Sequence, residues 1–267
     1  MIDLLKSYRA ENRDTKKSLG QHFLTDKNAL NFIVEYCDIK NSDIFLEIGA
    51  GCGILTQALL ERKAKVIAIE VDKKLCDFLE RYLFYYPDLT IKNVDFLQYF
   101  IEEQKVKIVG NLPYNRAADI LIHTIDYITN IEQMVLMFQK EVAERILSTP
   151  NRKSYGFLSV LIQYYFDIKT IATLKGNSFW PATKVDSIVL LFIPKKKFLL
   201  TKKREEAFFK FVKDCFKMKR KTLKNNLKEY KNFEELSEYI NRNVNVRAEE
   251  LSLLNFIDVF EILHNKE

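Results

Sequence analysis

Short apolar runs alternate with amphipathic stretches along the first half of the chain. The apolar runs have the length of buried strands and predict strands at 43–49, 65–70, 89–95, 107–112 and 132–139. The stretches that follow them space their apolar residues as helices do and predict helices at 54–63, 73–85, 116–128 and 140–147. Buried strands that alternate with helices are typical of a parallel, doubly wound α/β sheet.

The pattern changes after residue 147. Two further strands are predicted at 166–174 and 187–194, and because no clear helix lies between them we expect them to form an antiparallel edge of the sheet. From about residue 200 the pattern is helical, with helices predicted at 205–217, 233–241 and 249–264. We therefore expect an α/β domain at 1–198 and a small all-helical domain at 199–267.

Charge is distributed unevenly along the 267 residues. The chain has 42 Lys and Arg against 36 Asp and Glu, a net charge of +6, yet residues 195–231 alone hold 15 basic and 4 acidic residues. A basic segment of this kind is typical of a surface that binds nucleic acid. The alternative is a solvated surface in a chain that prefers lysine, and charge alone leaves both interpretations open.

Several classes of protein are disfavoured by composition. No apolar run is long enough for a transmembrane helix, and the first residues lack the apolar core of a signal peptide. The four cysteines form no CxxC pair and the three histidines are far apart, so we expect neither disulfides nor a metal site. A protein of the reducing cytoplasm fits this pattern best.

Glycines join the first predicted strand to the first helix, in the segment Gly49–Gly53. Glu70 ends the second strand, where an acid suits the hydroxyls of a ribose, and Asp95 ends the third, where an acid suits an adenine edge. A dinucleotide-binding loop would need glycine at Ile54, and the loop has no Lys or Arg. Acids without basic residues favour a cationic nucleoside without phosphates, such as S-adenosylmethionine. A purely structural turn with solvated acids is the alternative.

The segment Asn111–Asn115, NLPYN, follows the fourth strand. An asparagine oxygen and a carbonyl held rigid by proline can accept the two N–H bonds of an exocyclic amine, which directs the nitrogen lone pair toward a methyl donor. A tyrosine ring can stack on an extruded base. This chemistry needs no titrating base. A simple turn after a strand is the alternative, and the neighbouring glycine segment makes it the less favoured one.

These segments together resemble a known family, the ribosomal RNA adenine N6-dimethyltransferases, and most closely its bacterial small-subunit (16S) branch. The resemblance runs from about residue 16 to about residue 254. It is carried by KSLGQHFL (17–24), LEIGAGCGILT (46–56), IEVD (69–72), NVDFL (93–97), NLPYN (111–115), FQKEVAERI (138–146), YGFLSV (155–160), FWPATKVDS (179–187) and KRKTLKNNL (219–227).

The resemblance implies a fold, a donor and a substrate. The fold is a Rossmann-like class I methyltransferase with a seven-stranded doubly wound sheet and a small C-terminal helical domain. The donor is S-adenosylmethionine, without a metal. The substrate is a pair of adjacent adenosines near the 3′ end of small-subunit rRNA, presented by an immature small ribosomal subunit, and we expect a monomer that does not bind membranes.

The resemblance also implies roles for individual residues. Those implied to hold the donor are His22, Leu24, Gly49, Gly51, Glu70, Asp95 and Asn111. Those implied to form the target site are Asn111, Leu112, Pro113 and Tyr114, with Phe179 packing on the flipped base. Those implied to meet rRNA phosphates are Lys219, Arg220, Lys221 and Lys224.

The chain departs from the usual family pattern at three positions. Ala50 stands where proline is frequent, which we expect to matter little. Thr183 replaces a usual proline, so we expect a less rigid loop there. Lys219 replaces one member of an arginine pair, and lysine lacks the planar fork that binds phosphate through two bonds.

Two other functions remain to be weighed. One is an Erm-type 23S rRNA adenine methylase, which the segments FQKEVAERI, YGFLSV and KVDS disfavour. The other is a ribosome-assembly or RNA-binding factor that keeps the fold without catalysis. A pure binding protein has no physical need for the intact NLPYN segment and strand-end acids, so we expect an active enzyme.

Overall fold

A computed structural model of the chain describes residues 3–11, 15–16, 19–41, 43–218, 221–230 and 246–264. The fold divides into two compact units, Met1–Ala143 with Asp167–Pro194 and Glu144–Phe166 with Lys195–Glu267. The division of the chain into domains at 198/199 stays a prediction.

Seven strands form the sheet of the first unit, and two short strands pair separately. The described strands are β1 (Phe23–Leu24), β2 (Ile44–Ile48), β3 (Lys65–Glu70), β4 (Leu89–Asn93), β5 (Val106–Asn111), β6 (Ile131–Gln139), β7 (Phe166–Leu174), β8 (Phe179–Trp180) and β9 (Ser187–Pro194). The sheet order is β4-β3-β2-β5-β6-β9-β7. The strands from β4 to β6 pair in parallel, and β9 runs antiparallel to β6. The predicted seven-stranded doubly wound sheet is confirmed.

Helices pack around this sheet and also form the second unit. The described helices are α1 (Leu4–Ala10), α2 (Lys27–Tyr36), α3 (Ile54–Leu60), α4 (Lys73–Leu83), α5 (Ala117–His123), α6 (Lys140–Leu147), α7 (Phe157–Tyr165), α8 (Lys202–Cys215), α9 (Leu223–Leu227) and α10 (Leu253–His264). Among the residues that the structure describes, no helix is long and apolar enough to cross a membrane.

The order of the strands creates a crevice at one edge of the sheet. β2 lies between β3 and β5, so the connections that leave β2 and β5 diverge to opposite sides. In open α/β sheets the crevice outside the carboxyl ends of such strands is where ligands bind. Phe45 and Leu46 of β2 are completely buried, which anchors this central strand in the core. The fold thus positions the residues after β2, β3 and β5 around one crevice.

Helix α4 shows how the sequence positions one side of the crevice. The Asp72 side chain accepts the N–H of Lys74 and caps the first turn. Leu75, Phe78 and Leu79 recur at helical spacing and are buried. Asp72 also accepts hydrogen bonds from the side chains of Lys16 and Gln21, which attaches the N-terminal arm beside the end of β3.

Strand β1 attaches the N-terminal arm, here residues 16 and 19–24, to the segment before β9. β1 pairs antiparallel with β8, with Phe23 opposite Trp180 and Leu24 opposite Phe179. The ring of Phe23 stacks on Trp180 and meets the edge of Tyr8. This short antiparallel pairing holds the arm against β8.

The second unit is built on aromatic packing around α7, α8 and α10. The hydroxyls of Tyr164 and Tyr165 both donate to the buried carboxylate of Glu205 at 3.0 Å. Phe208 of α8 packs against Phe260 of α10 with ring centroids 5.4 Å apart. The helices predicted at 205–217 and 249–264 correspond to α8 and α10, whereas the one predicted at 233–241 lies outside the described residues.

Candidate active site

A cavity of about 240 Å³ opens at the carboxyl ends of β2, β3 and β5, within the first unit. Residues after each of these strands line it together with the N-terminal arm. Lining residues with predicted roles are His22, Leu24, Gly49, Gly51, Glu70, Asp95, Asn111 and Pro113. The fold therefore brings together the residues predicted to hold the donor, which are far apart in sequence.

The glycine segment forms the turn at the end of β2. Gly49, Gly51 and Gly53 have φ of 72°, 58° and 85°, a left-handed conformation that strongly favours glycine. A Cβ added to Gly51 would lie 2.9 Å from the ring of Phe23, so any side chain would push the arm away. At Gly49 an added Cβ would find one neighbour within 4 Å, the Asn111 carbonyl oxygen at 3.8 Å. A ligand can therefore approach the backbone closely at Gly49.

Glu70 is held rigidly beside this turn. One carboxylate oxygen accepts the N–H of Gly51 and the other accepts the N–H of Asp72, both at 2.9 Å. Burial raises the pKa of this carboxyl, while the two backbone N–H groups act to lower it. Each oxygen has a further lone pair, so the fixed carboxylate can also accept bonds from ribose hydroxyls. Its role in binding the donor stays a prediction.

Asp95 ends the loop after β4 and faces the same cavity. Its Oδ1 accepts the N–H of Leu97 at 3.0 Å, which caps a short 3₁₀ turn. Its Oδ2 lies 3.6 Å from Nη2 of Arg116. Arg116 directly follows the Asn111–Asn115 segment but was not among the predicted site residues.

Glu47 was also not among the predicted site residues, because it lies inside an apolar strand. Its side chain is 2% exposed, lines the cavity, and accepts a hydrogen bond from the Thr56 hydroxyl at 2.5 Å. Burial raises the pKa of Glu47 to about 8. An acid two residues before a ligand-facing glycine was the available signal.

The side-chain amide of Asn111 makes a hydrogen bond through its nitrogen, whereas its oxygen makes none to the described residues. Its Nδ2 donates to the His22 carbonyl at 2.8 Å, which fixes the orientation of the side chain. Its Oδ1 is buried and finds no hydrogen-bond partner among the described residues. A buried acceptor without a partner is costly and marks a place where a ligand donor fits.

The other residues of the NLPYN segment occupy different environments. Pro113 lines the cavity, and its carbonyl accepts the N–H of Arg116 at 3.0 Å. Leu112 is 1% exposed and packs in the core. The Tyr114 ring stacks on His22 with centroids 5.5 Å apart, and its hydroxyl is buried with no partner in the part of the chain that the structure describes. Their roles toward a target base stay predictions.

The arm and the FWPATKVDS segment are joined beside the cavity. Nδ1 of His22 lies 2.7 Å from the Pro181 carbonyl, so the ring donates its N–H there. Phe179 is 3% exposed, belongs to the apolar core and lies outside the lining of the cavity. Stacking of Phe179 on a flipped base would thus need a rearrangement of β8, and this role stays a prediction.

Thr183 was expected to loosen the loop that contains it. Its N–H donates to the Gly176 carbonyl at 3.0 Å, a bond that proline has no hydrogen to make. Its hydroxyl donates to the Val185 carbonyl at 2.5 Å. Two hydrogen bonds therefore hold the loop in place at Thr183.

The basic residues predicted to meet rRNA belong to the second unit. Lys221 and Lys224 are exposed, before and within α9. Lys219 and Arg220 lie outside the described residues. Their role in RNA binding stays a prediction.

Comparison with known proteins identifies a family. The ribosomal RNA adenine dimethylase family matches residues 12–265. Ribosomal RNA small subunit methyltransferase A of Francisella tularensis subsp. novicida is 41% identical over 255 residues, 93% of this chain and 97% of the relative. The protein of the same name from Clostridium acetobutylicum is 40% identical over 217 residues, 79% of each chain.

Two solved structures share the fold. A dimethyladenosine transferase from Plasmodium falciparum matches with a TM-score of 0.77 and 27% identity, over 89% of this chain and 95% of that one. The 23S rRNA methyltransferase ErmE matches with a TM-score of 0.71 and 23% identity, over 90% and 99% of the two chains. Since the family match spans nearly all of the sequence, the chain belongs to the ribosomal RNA adenine dimethylase family.

Proposed function

We propose that the chain transfers methyl groups from S-adenosylmethionine to N6 of two adjacent adenosines near the 3′ end of small-subunit (16S) rRNA. Family membership supports adenine dimethylation of ribosomal RNA. The relatives named for the small subunit, at 41% and 40% identity, favour that subunit over the large one. The substrate is an immature small subunit in the cytoplasm, and the protein acts on it as a monomer.

The observation that carries the proposal is the amide oxygen of Asn111, which has no hydrogen-bond partner among the residues that the structure describes. The side chain is already oriented by its bond to the His22 carbonyl. Its free oxygen can accept one N–H of an adenine N6 amine, and this leaves the nitrogen lone pair directed away from that bond. The amine of adenine is a poor nucleophile until its lone pair is oriented in this way.

The other lining residues suit the proposed donor. Glu70 and Asp95 give the cavity two carboxyl groups, which favour a cationic ligand over a phosphate-bearing one. The left-handed turn at Gly49 leaves room for a ligand against the backbone. When bound there, the donor supplies an electrophilic methyl group on a sulfonium.

Transfer requires alignment more than acid–base chemistry. The N6 lone pair forms the new N–C bond as the C–S bond breaks, and the bonding pair leaves with sulfur, which becomes a neutral thioether. The methylated amine then loses a proton to water. In-line placement of nitrogen, carbon and sulfur is the main requirement, and rigid side chains such as Asn111 supply it.

Labelled donor incubated in parallel with unmethylated small subunits and with large subunits tests this proposal. We expect label in N6-dimethyladenosine at two adjacent positions near the 3′ end of the small-subunit rRNA. Label in large-subunit rRNA would indicate the Erm-type activity instead. Tight binding of subunits without incorporation of label would indicate an assembly factor, and either result would refute the proposal.

A further inference from the structure

Arg116 lies where the cavity meets the protein surface. It directly precedes α5, and its N–H donates to the Pro113 carbonyl at 3.0 Å, which fixes its backbone to the NLPYN segment. The side chain lines the cavity and is 45% exposed. A guanidinium group is thereby presented at the entrance, two residues from Tyr114.

The guanidinium group of Arg116 has N–H donors that the neighbouring carboxylates do not use. Its nearest acidic oxygens are Oδ2 of Asp95 at 3.6 Å and Oδ2 of Asp119 at 3.9 Å. Both distances exceed that of a hydrogen bond, and ion pairs between exposed groups contribute little. Its side chain makes no hydrogen bond within 3.5 Å to any residue that the structure describes, so its N–H groups are available.

Orientation of Asp95 does not require Arg116. Oδ1 of Asp95 already accepts the N–H of Leu97 at 3.0 Å, a shorter contact than the one to Arg116. If Arg116 only oriented Asp95, the exposed edge of its guanidinium group would bind nothing. The arrangement therefore suits an anionic ligand that approaches from the surface.

The methyl donor and the RNA differ in the anionic groups that they could present to Arg116. The proposed donor has no phosphate, and its one carboxylate belongs to its methionine part, whereas Arg116 lies beside Asp95, the acid predicted to meet the adenine. Every nucleotide of an RNA strand carries a phosphate on its sugar. An adenosine that leaves its stack to enter the cavity brings its flanking phosphates to the entrance. The planar fork of arginine binds phosphate through two parallel hydrogen bonds.

We propose that Arg116 binds the RNA phosphodiester next to the extruded adenosine and positions that nucleotide for methylation. The proposal rests on the proposed function, because it needs an RNA strand at this cavity. It assigns the entrance to the RNA and the acid-lined interior to the donor.

Three variants test the proposal. Arg116→Gln removes the charge, Arg116→Lys keeps the charge without the fork, and Arg62→Gln is the matched control. Arg62 follows α3 at the end remote from the glycine segment, where its side chain bonds the Ala58 carbonyl. For each variant, calorimetry gives the donor affinity, salt titration gives the slope of small-subunit rRNA binding, and steady-state methylation gives KM and kcat.

We expect Arg116→Gln to raise the KM for small-subunit rRNA about tenfold and to leave donor affinity unchanged. The slope of log K against log salt should fall by about 0.7, one phosphate contact of a single strand. Arg116→Lys should recover part of the loss, and Arg62→Gln should match the parent.

Two results would overturn the role of Arg116. One is an Arg116→Gln variant whose RNA slope and KM equal those of Arg62→Gln. The other is a loss of donor affinity with an unchanged RNA slope, which would assign Arg116 to the donor, directly or through Asp95. Absence of methylation by the parent chain would instead refute the proposed function, and the RNA slope would still decide the role of Arg116.

Discussion

Two buried polar atoms at the end of β5 distinguish this site from an ordinary turn. Oδ1 of Asn111 and the hydroxyl of Tyr114 are both buried with no partner among the described residues. Buried polar atoms are nearly always paired in proteins, so two exceptions three residues apart point to a ligand. Their chemistry differs, since one is only an acceptor and the other is attached to a stacking ring.

Tyr114 is expected to act through its ring. Stacking of an aromatic ring on an extruded base contributes about 1–3 kcal/mol. In the part of the chain that the structure describes, the Tyr114 hydroxyl has no partner whose loss would add to this. Tyr114→Phe should therefore keep most of the methylation rate, whereas Tyr114→Ala should slow it at least tenfold with donor affinity nearly intact. Single-turnover methylation measures both. Equal loss in the two variants would assign the role to the hydroxyl.

Glu47 is expected to make stability depend on pH. Burial raises its pKa from 4.5 to about 8, so between these values the folded chain binds a proton that the unfolded chain has lost. The contribution of Glu47 to the free energy of unfolding therefore falls as pH rises from about 5 to about 8. Glu47→Gln removes this titration and keeps an acceptor for Thr56.

Denaturant titrations of parent and Glu47→Gln across this range measure the effect. The variant should gain stability relative to the parent as pH rises, by an amount on the order of 4 kcal/mol. A constant difference between the two proteins from pH 5 to pH 8 would show that Glu47 is ionised throughout.

Sequence predicted residues at the ends of strands that the structure places around the cavity. Glu70, Asp95 and Asn111 follow apolar runs, and parallel strands bring their ends to one edge. Glu47 was missed because a buried acid inside a strand leaves the apolar pattern nearly intact. Arg116 was missed because only the folded chain shows that it lines the cavity.

At the scale of elements, the strands of the seven-stranded sheet were predicted and the two shortest strands were not. The strands of the seven-stranded sheet have five to nine residues and follow the predicted runs closely. β1 and β8 have two residues each, too few for a periodic pattern, so their pairing was not predicted. That pairing attaches the arm beside the cavity, and it depends on a partner more than 150 residues away.

Lys107 stabilises the opposite end of β5. Its ammonium group is 1% exposed and donates to the Asp38 carbonyl at 2.6 Å and to Oδ2 of Asp43 at 2.7 Å. Burial acts to raise the pKa of Asp43, but hydrogen bonds from the Lys107 side chain and the Lys40 N–H outweigh it and lower that pKa. The bond to Lys107 holds the loop before β2 against the start of β5.

Lys107→Met should therefore destabilise the fold by about 2–4 kcal/mol, because it leaves buried acceptors without their donor. Lys65→Met, at an exposed position that begins β3, is the control and should stay within about 0.5 kcal/mol of the parent. Thermal or denaturant unfolding measures both. Equal stability of the two variants would show that the Lys107 interactions only offset the cost of burying its charge.

At the scale of the whole molecule, charge separates two functions. Residues 195–231 carry a local excess of basic residues, whereas the cavity is lined by carboxyl groups. A cationic donor suits the cavity, and a polyanion suits the basic segment. The sequence alone located this excess, but it could not separate RNA binding from a general preference for lysine.

Neutralising Lys221 and Lys224 to glutamine tests that distinction. Each lost phosphate contact should reduce the slope of log K against log salt for subunit binding by about 0.7–0.9. Lys63→Gln with Lys65→Gln removes the same charge from exposed positions around the start of β3 and should leave the slope unchanged. Equal slopes in the two double variants would mean that the basic segment is an ordinary solvated surface.

The central claim is that the oriented amide of Asn111 positions an rRNA adenine for methylation. Single-turnover methylation of unmethylated small subunits at saturating donor tests it most directly, with Asn111→Ala compared with Asn31→Ala, an exposed asparagine on α2. Misplacement of the amine should slow transfer by about 100-fold or more in Asn111→Ala, and Asn31→Ala should match the parent. Transfer by Asn111→Ala within a few-fold of the parent would contradict the account.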